Sequence, residues 1–186
     1  MSEYDTSGGW FDADPELEPT EDGLRFLAAL RERAESGGWG CESDDTYATF
    51  AVFENRTELL VTLGLSDPTT EPEQHVLTVG AFFTGSRLVG GEFHDQLYTL
   101  EQTLETLIEA DGAPEFLAER AAEWFARMTE LPVLRNEFAV DGRVVNRQWV
   151  LAAGSGRELA AQFRVEPGDP LARTVQVRGN SDPEDD

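Results

Sequence analysis

From Thr20 onward the apolar residues follow two periods in turn. Leu24, Leu27, Leu30 and Ala34 recur at helical spacing. They predict a helix that starts at Thr20, a residue suited to the N-cap. Glu21 and Asp22 then stand beside the positive helix end, and Gly37 and Gly38 close it. The period next falls to two. Residues 46–53 and 57–65 flank the turn Glu54-Asn55-Arg56 and predict a β-hairpin. Residues 75–85 predict a third strand, and 86–93 a fourth, weakened by Gly90 and Gly91. Helical spacing then returns twice. Leu97, Leu100, Leu104, Leu107 and Ile108 predict one helix, with Glu101, Glu105 and Glu109 beside the apolar stripe. Leu117, Ala121, Trp124, Phe125 and Met128 predict a second, opened by Pro114, with Glu115, Glu119 and Glu123 on a neighbouring face. The short link Ala110-Asp111-Gly112 makes these two an antiparallel pair.

The last third alternates again. Residues 133–140 and 143–152 flank Asp141-Gly142, a type I′ turn signal. A two-residue loop pairs Val140 with Arg143, Phe138 with Val145, Asn136 with Arg147, and Leu134 with Trp149. That register sets Arg147 in the middle of the expected core face, so it needs the rim of the core or a polar cluster. Residues 157–165 and 172–178 supply two more strands around a turn at 166–170. The order α-β-β-β-(β)-α-α-β-β-β-β predicts an α+β fold: antiparallel sheet or sheets, an N-terminal helix and a central antiparallel helix pair. No strand–helix–strand alternation supports a doubly wound parallel sheet.

The length of 186 residues, with 40% apolar and 10% aromatic residues, fits a single globular domain over 20–178. Residues 1–19 lack periodicity and predict a flexible acidic tail; residues 179–186 predict a second. Within the first tail the aromatic pair Trp10-Phe11 either docks on a partner or folds back on its own domain.

Charge adds a map. The formal net charge is -23, yet residues 135–178 hold seven arginines against five acids, while residues 1–134 hold seven arginines against twenty-eight. The arginines of the final sheet therefore offset acids elsewhere in the fold, meet the acidic face of a second copy in a homodimer, or bind an acidic ligand. Direct binding to a nucleic-acid backbone is not expected, because that affinity comes from basic residues neutralising phosphates. Every basic residue besides the two histidines is arginine, and isoleucine occurs once, a usage that fits a GC-rich bacterial genome. No apolar run approaches the ~20 residues of a membrane span. The acidic start lacks the pattern of a secretory signal, so a cytoplasmic location is expected. The single cysteine, Cys41, excludes an internal disulfide and a multi-cysteine zinc site.

Candidate chemistry is sparse. His94-Asp95 follows a strand, but adjacent strand residues face opposite ways and no nucleophile is marked by a motif. The glycine turn at 154–158 lacks a phosphate-loop lysine and a following helix. Neither a cofactor nor a metal is expected. The charge and element order are analogous to those of small acidic secretion-chaperone domains and of bacterial immunity proteins that cap a basic toxin, and no motif carries either resemblance. The expectation is a non-enzymatic interaction protein, chaperone-like or inhibitor-like, that engages a basic protein partner. Its contacts would be the acidic helices (Glu101, Glu105, Glu109, Glu115, Glu119, Glu123) or the Trp10-Phe11 pair. One alternative is a small-ligand binder or enzyme with a site over the C-terminal sheet, contacted by Arg147, Trp149 and His94. Another is a structural subunit of a larger assembly.

Overall fold

The computed structural model describes residues 9–13, 18–94, 97, 99–152, 156–164 and 169–179. The elements run β1 (Asp12–Ala13), α1 (Glu21–Gly37), a 3-10 turn (Ser43–Asp45), β2 (Thr46–Phe53), β3 (Arg56–Asp67), β4 (Gln74–Phe83) and β5 (Arg87–His94). They continue through β6 (Thr99–Glu101), β7 (Ile108–Asp111), α2 (Pro114–Thr129), β8 (Val133–Val140), β9 (Arg143–Leu151), β10 (Glu158–Ala161) and β11 (Leu171–Arg178). The chain is α+β, with two helices and two sheets. One sheet runs β1-β2-β3-β4-β5-β6, with β7 also on β5; the other runs β10-β9-β8-β11. The tail segments 1–8, 14–17 and 180–186, Asp95, and parts of the turns expected at 154–158 and 166–170 lie outside the described residues.

Contacts group the chain into two compact units. The first comprises Met1–Leu65 and Thr78–Met128; the second comprises Ser66–Leu77 and Thr129–Asp186.

In the first unit, α1 starts as its cap residue dictates: the Thr20 side chain accepts a hydrogen bond from Gly23 N, and Gly38, left-handed at φ 61°, closes the helix. The buried stripe is rotated from the expected one. Leu24 is 49% exposed, and Phe26 takes its place, stacked on Phe83 of β4 at a centroid distance of 4.5 Å. The second expected helix of the central pair forms as α2, and Leu117, Ala121, Trp124, Phe125 and Met128 are all buried.

The first member of that pair does not form. Residues 97–111 instead give β6, a turn at Leu104–Thr106 and β7, and both strands pair with β5: β7 along Arg87–Gly90, β6 along Glu92–His94. The helical leucine spacing loses here to two opposing forces. Thr99, Thr103 and Thr106 are β-branched, and the Thr103 and Thr106 hydroxyls bond each other at 2.8 Å, offering the backbone a turn in place of a helix. The exposed edge of β5 also offers a full row of backbone partners. Gly90 and Gly91, expected to weaken β5, mark the point where its partner changes. A Cβ on Gly91 would lie 2.5 Å from Glu101 O, and one on Gly90 2.7 Å from Ile108 Cγ2.

Trp10 and Phe11 fold back onto their own unit. Phe11 is fully buried, its N–H donates to Thr46 Oγ1 at 2.7 Å, and its ring meets Phe125 and Trp39. Arg31 of α1 donates to the carbonyls of Trp10 and Phe11. The two residues that follow form β1, parallel to β2.

In the second unit the Asp141-Gly142 turn forms as expected, and Val140 faces Arg143. A bulge at Phe138/Ala139 then shifts the register by one residue. Asn136 faces Gln148, Glu137 faces Arg147, and Arg135 faces Trp149. A one-residue slip exchanges the two faces of a strand. The expected core face is therefore corrected in part: Val145 is exposed and Arg135 and Glu137 turn inward, while Phe138 and Trp149 are buried as expected.

Candidate functional site

The corrected register of the C-terminal sheet builds a row of charge across three strands. Arg147 of β9 faces Glu137 of β8, which in turn faces Arg173 of β11. One step along the sheet, Trp149 faces Arg135, which faces Val175. Asp67, at the end of β3, closes the cluster. Its Oδ2 accepts from Arg135 Nη1 at 2.6 Å and from Trp149 Nε1 at 2.8 Å; its Oδ1 accepts from the Thr69 backbone N–H at 2.9 Å and the Thr69 hydroxyl at 2.6 Å. Glu137 receives Arg135 Nε at 3.0 Å and Arg173 Nε at 2.5 Å, with Arg147 Nε farther off at 3.5 Å. Both carboxylates are almost wholly shielded from water.

Burial pushes the Asp67 carboxyl up, but the donors from Thr69, Trp149 and Arg135 together hold it below its ordinary value. The hydrogen bond from Arg173 does most to hold Glu137 low; burial opposes it, and the charges of Arg135, Arg173 and Arg147 assist. Three arginines thus serve two buried acids, which accounts for part of the arginine content of this sheet. Each carboxylate oxygen already has a donor, so this network holds the sheet together, while the buried Arg147 Nε has no hydrogen-bond partner among the described residues. Trp149, expected as a ligand contact, is fully buried with its indole N–H committed to Asp67. Arg147, expected at a rim or in a polar cluster, lies beside Glu137.

The six glutamates expected to share two helix faces are spread over α2, β6, β7 and the turn between the two strands. In α2, Glu115 is held by Arg25 and Glu119 by Arg33, both from α1, and Glu123 pairs with Arg120. Glu109 sits on β7 and pairs with Arg87; Glu101 sits on β6 and meets His94; Glu105 is exposed in the turn between these strands. That turn is firmly held. Trp124, itself buried, donates its indole N–H to Thr106 O at 3.0 Å, and the N–H groups of Thr106 and Leu107 return to Thr103 O. It presents Leu104 at 96% exposure, with Leu97 and Leu107 also exposed in the same stretch of chain.

His94 belongs to the first unit, and Arg147 and Trp149 to the second. His94 Nε2 lies 3.4 Å from Glu101 Oε2. On β5 it shares a face with Glu92, two residues back, and Glu92 lies directly opposite Glu101 of β6. One ligand atom from each of Glu92, His94 and Glu101 lies within 4.8 Å of the others, the one such trio of ligating side chains among the described residues. Sequence reading missed this trio because it placed Glu101 on a helix. The signal present was the Glu-x-His spacing on an alternating strand.

A depression of about 270 Å³ in the first unit is lined by Thr20, Phe50, Leu59 and Phe83, with Asp22 and Glu58 as its acids. Among the described residues no helix is long and apolar enough to cross a membrane. The chain matches no protein-family model, no curated protein and no solved structure, so its own residues carry the functional reading.

Proposed function

We propose that the protein is a non-enzymatic interaction module for a basic partner, and that its recognition surface is the segment from Leu97 to Glu109. The α2 glutamates are less suited to this role, because no apolar side chain beside them is as exposed as Leu104. The observation that carries the reading is the rigid turn at Leu104–Thr106. It holds a leucine at 96% exposure next to the exposed Glu105, with Leu97, Leu107, Glu101 and Glu109 exposed on the flanking chain. Apolar anchors bordered by one sign of charge suit a partner that presents apolar side chains among arginines or lysines. A turn already fixed by Trp124 and Thr103 has little ordering entropy left to lose on binding. The acidic excess of the chain would speed encounter with such a partner.

The test compares two synthetic peptides of equal charge, one of leucine and lysine in amphipathic helical order, one of serine and lysine. The leucine peptide is expected to bind at least about tenfold tighter, a difference of about 1.4 kcal/mol. Leu104→Ser is expected to erase most of that preference without altering the protein's charge. Equal binding of the two peptides, or a preference untouched by Leu104→Ser, would refute the reading.

A further inference from the structure

We infer that Glu92, His94 and Glu101 form a binding site for one divalent transition-metal ion of the zinc type. The inference does not rest on the interaction reading. It starts from strand geometry. Side chains two apart on a strand project from the same face, and a residue directly opposite on the neighbouring strand joins them. Glu92 and His94 on β5, with Glu101 opposite Glu92 on β6, meet that condition. Gly91 makes it possible, because the backbone of Glu101 passes where any other side chain at 91 would stand.

The spacing suits coordination. Donor atoms sharing a tetrahedral zinc at about 2.1 Å lie about 3.4 Å from one another. His94 Nε2 and Glu101 Oε2 stand 3.4 Å apart, and all three ligand atoms fall within 4.8 Å. Closing the set requires donor pairs to approach by at most about 1.4 Å, from within 4.8 Å to about 3.4 Å. Glu92 is buried at 5% exposure and supplies a fixed wall, while the His94 and Glu101 side chains, 52% and 64% exposed, can adjust.

Donor chemistry selects the ion. Two carboxylates balance the two charges of the metal. The imidazole nitrogen favours a borderline ion such as zinc over magnesium or calcium, which take oxygen ligands. Three protein ligands on an open strand end leave a fourth position for water. Bound metal would tie β6 to β5 at the point where the chain leaves for the Leu104 turn.

The test is equilibrium dialysis of chelator-treated protein against zinc, with excess magnesium to occupy surface carboxylates. Wild-type protein is expected to retain one zinc per chain. His94→Ala and Glu101→Gln should each weaken retention by about tenfold or more, whereas Glu105→Gln, an exposed carboxylate outside the trio, should not. Both test substitutions alter exposed side chains, and circular dichroism would verify that each variant is folded. No zinc retained over magnesium, or His94→Ala retaining zinc as wild type does, would overturn the inference.

Discussion

The indole N–H of Trp149 donates to the carboxylate of Asp67 across eighty-two residues of sequence, at 2.8 Å, with both side chains fully buried. The same oxygen of Asp67 accepts from Arg135 at 2.6 Å. The end of β3 is thereby fixed to two strands of the C-terminal sheet by a charge that cannot be hydrated. Such networks contribute little when intact, because desolvation offsets attraction, but they are costly to break in half.

Arg135→Met removes the cation that Asp67 and Glu137 share. It is expected to destabilise the C-terminal unit by about 3–5 kcal/mol. Trp149→Phe keeps most of the ring volume and removes one donor to a charged acceptor, at an expected cost of about 1.5–3 kcal/mol. Amide hydrogen exchange along β8 and β9 measures both. Equal protection in Arg135→Met and wild type would mean that the network does not hold this sheet.

Acid should find the same unit. Asp67 and Glu137 are both held below their ordinary values in the folded chain. A folded value below the unfolded one means that stabilisation is complete above the unfolded value, about 4 for a carboxylate, and disappears as pH falls through the lowered values. The exposed acids act in the opposite sense, since protonating them relieves self-repulsion in a chain of formal charge -23. The C-terminal unit is therefore expected to lose stability relative to the first as pH drops below about 4. Glu137→Gln should flatten that dependence. An unchanged slope in this variant would remove Glu137 from the account.

Gly91→Ala places a methyl group 2.5 Å from Glu101 O, where the backbone itself must yield. The expected outcome is loss of the β5–β6 pairing, at a cost of about 1–3 kcal/mol, with faster exchange at Phe93 and Glu101. Gly85→Ala, which adds its Cβ in open space but at φ 87°, separates backbone strain from this close approach. If Gly91→Ala exchanges like wild type, β6 does not depend on a bare backbone at that position.

Much of the local structure was legible because local forces decide it. Thr20 caps α1, Asp141-Gly142 turns the last hairpin, and the five apolar positions named for α2 are all buried. Residues 97–111 misled for a physical reason: their leucines keep helical spacing, while the threonines between them and the free edge of β5 favour strands. The sequence leaves the Trp10-Phe11 pair open to docking or to folding back; Phe125 and Trp39, the partners that decide for burial of Phe11, come from distant chain. The bulge at Phe138/Ala139 leaves no mark in an alternating pattern, yet it decides which arginine faces the interior. Asp67 followed by Pro68 is ordinary turn sequence, and only the three-dimensional fold gives its carboxylate two long-range donors. Glu92 and His94 were in view as alternate strand residues, and the trio stayed hidden until β6 supplied Glu101.

One strand, β5, grips both ends of the connection that carries Leu104, with β6 on one side of Gly91 and β7 on the other. A loop clamped at both roots can change its composition, and to a degree its length, at a closure cost that grows only slowly. On the proposed function, selection could therefore rewrite recognition at the exposed Leu104 and Glu105, leaving the β5 register undisturbed. An engineer could exploit the same division by substituting Leu104 and Glu105 while keeping Thr103 and Thr106, which hold the turn.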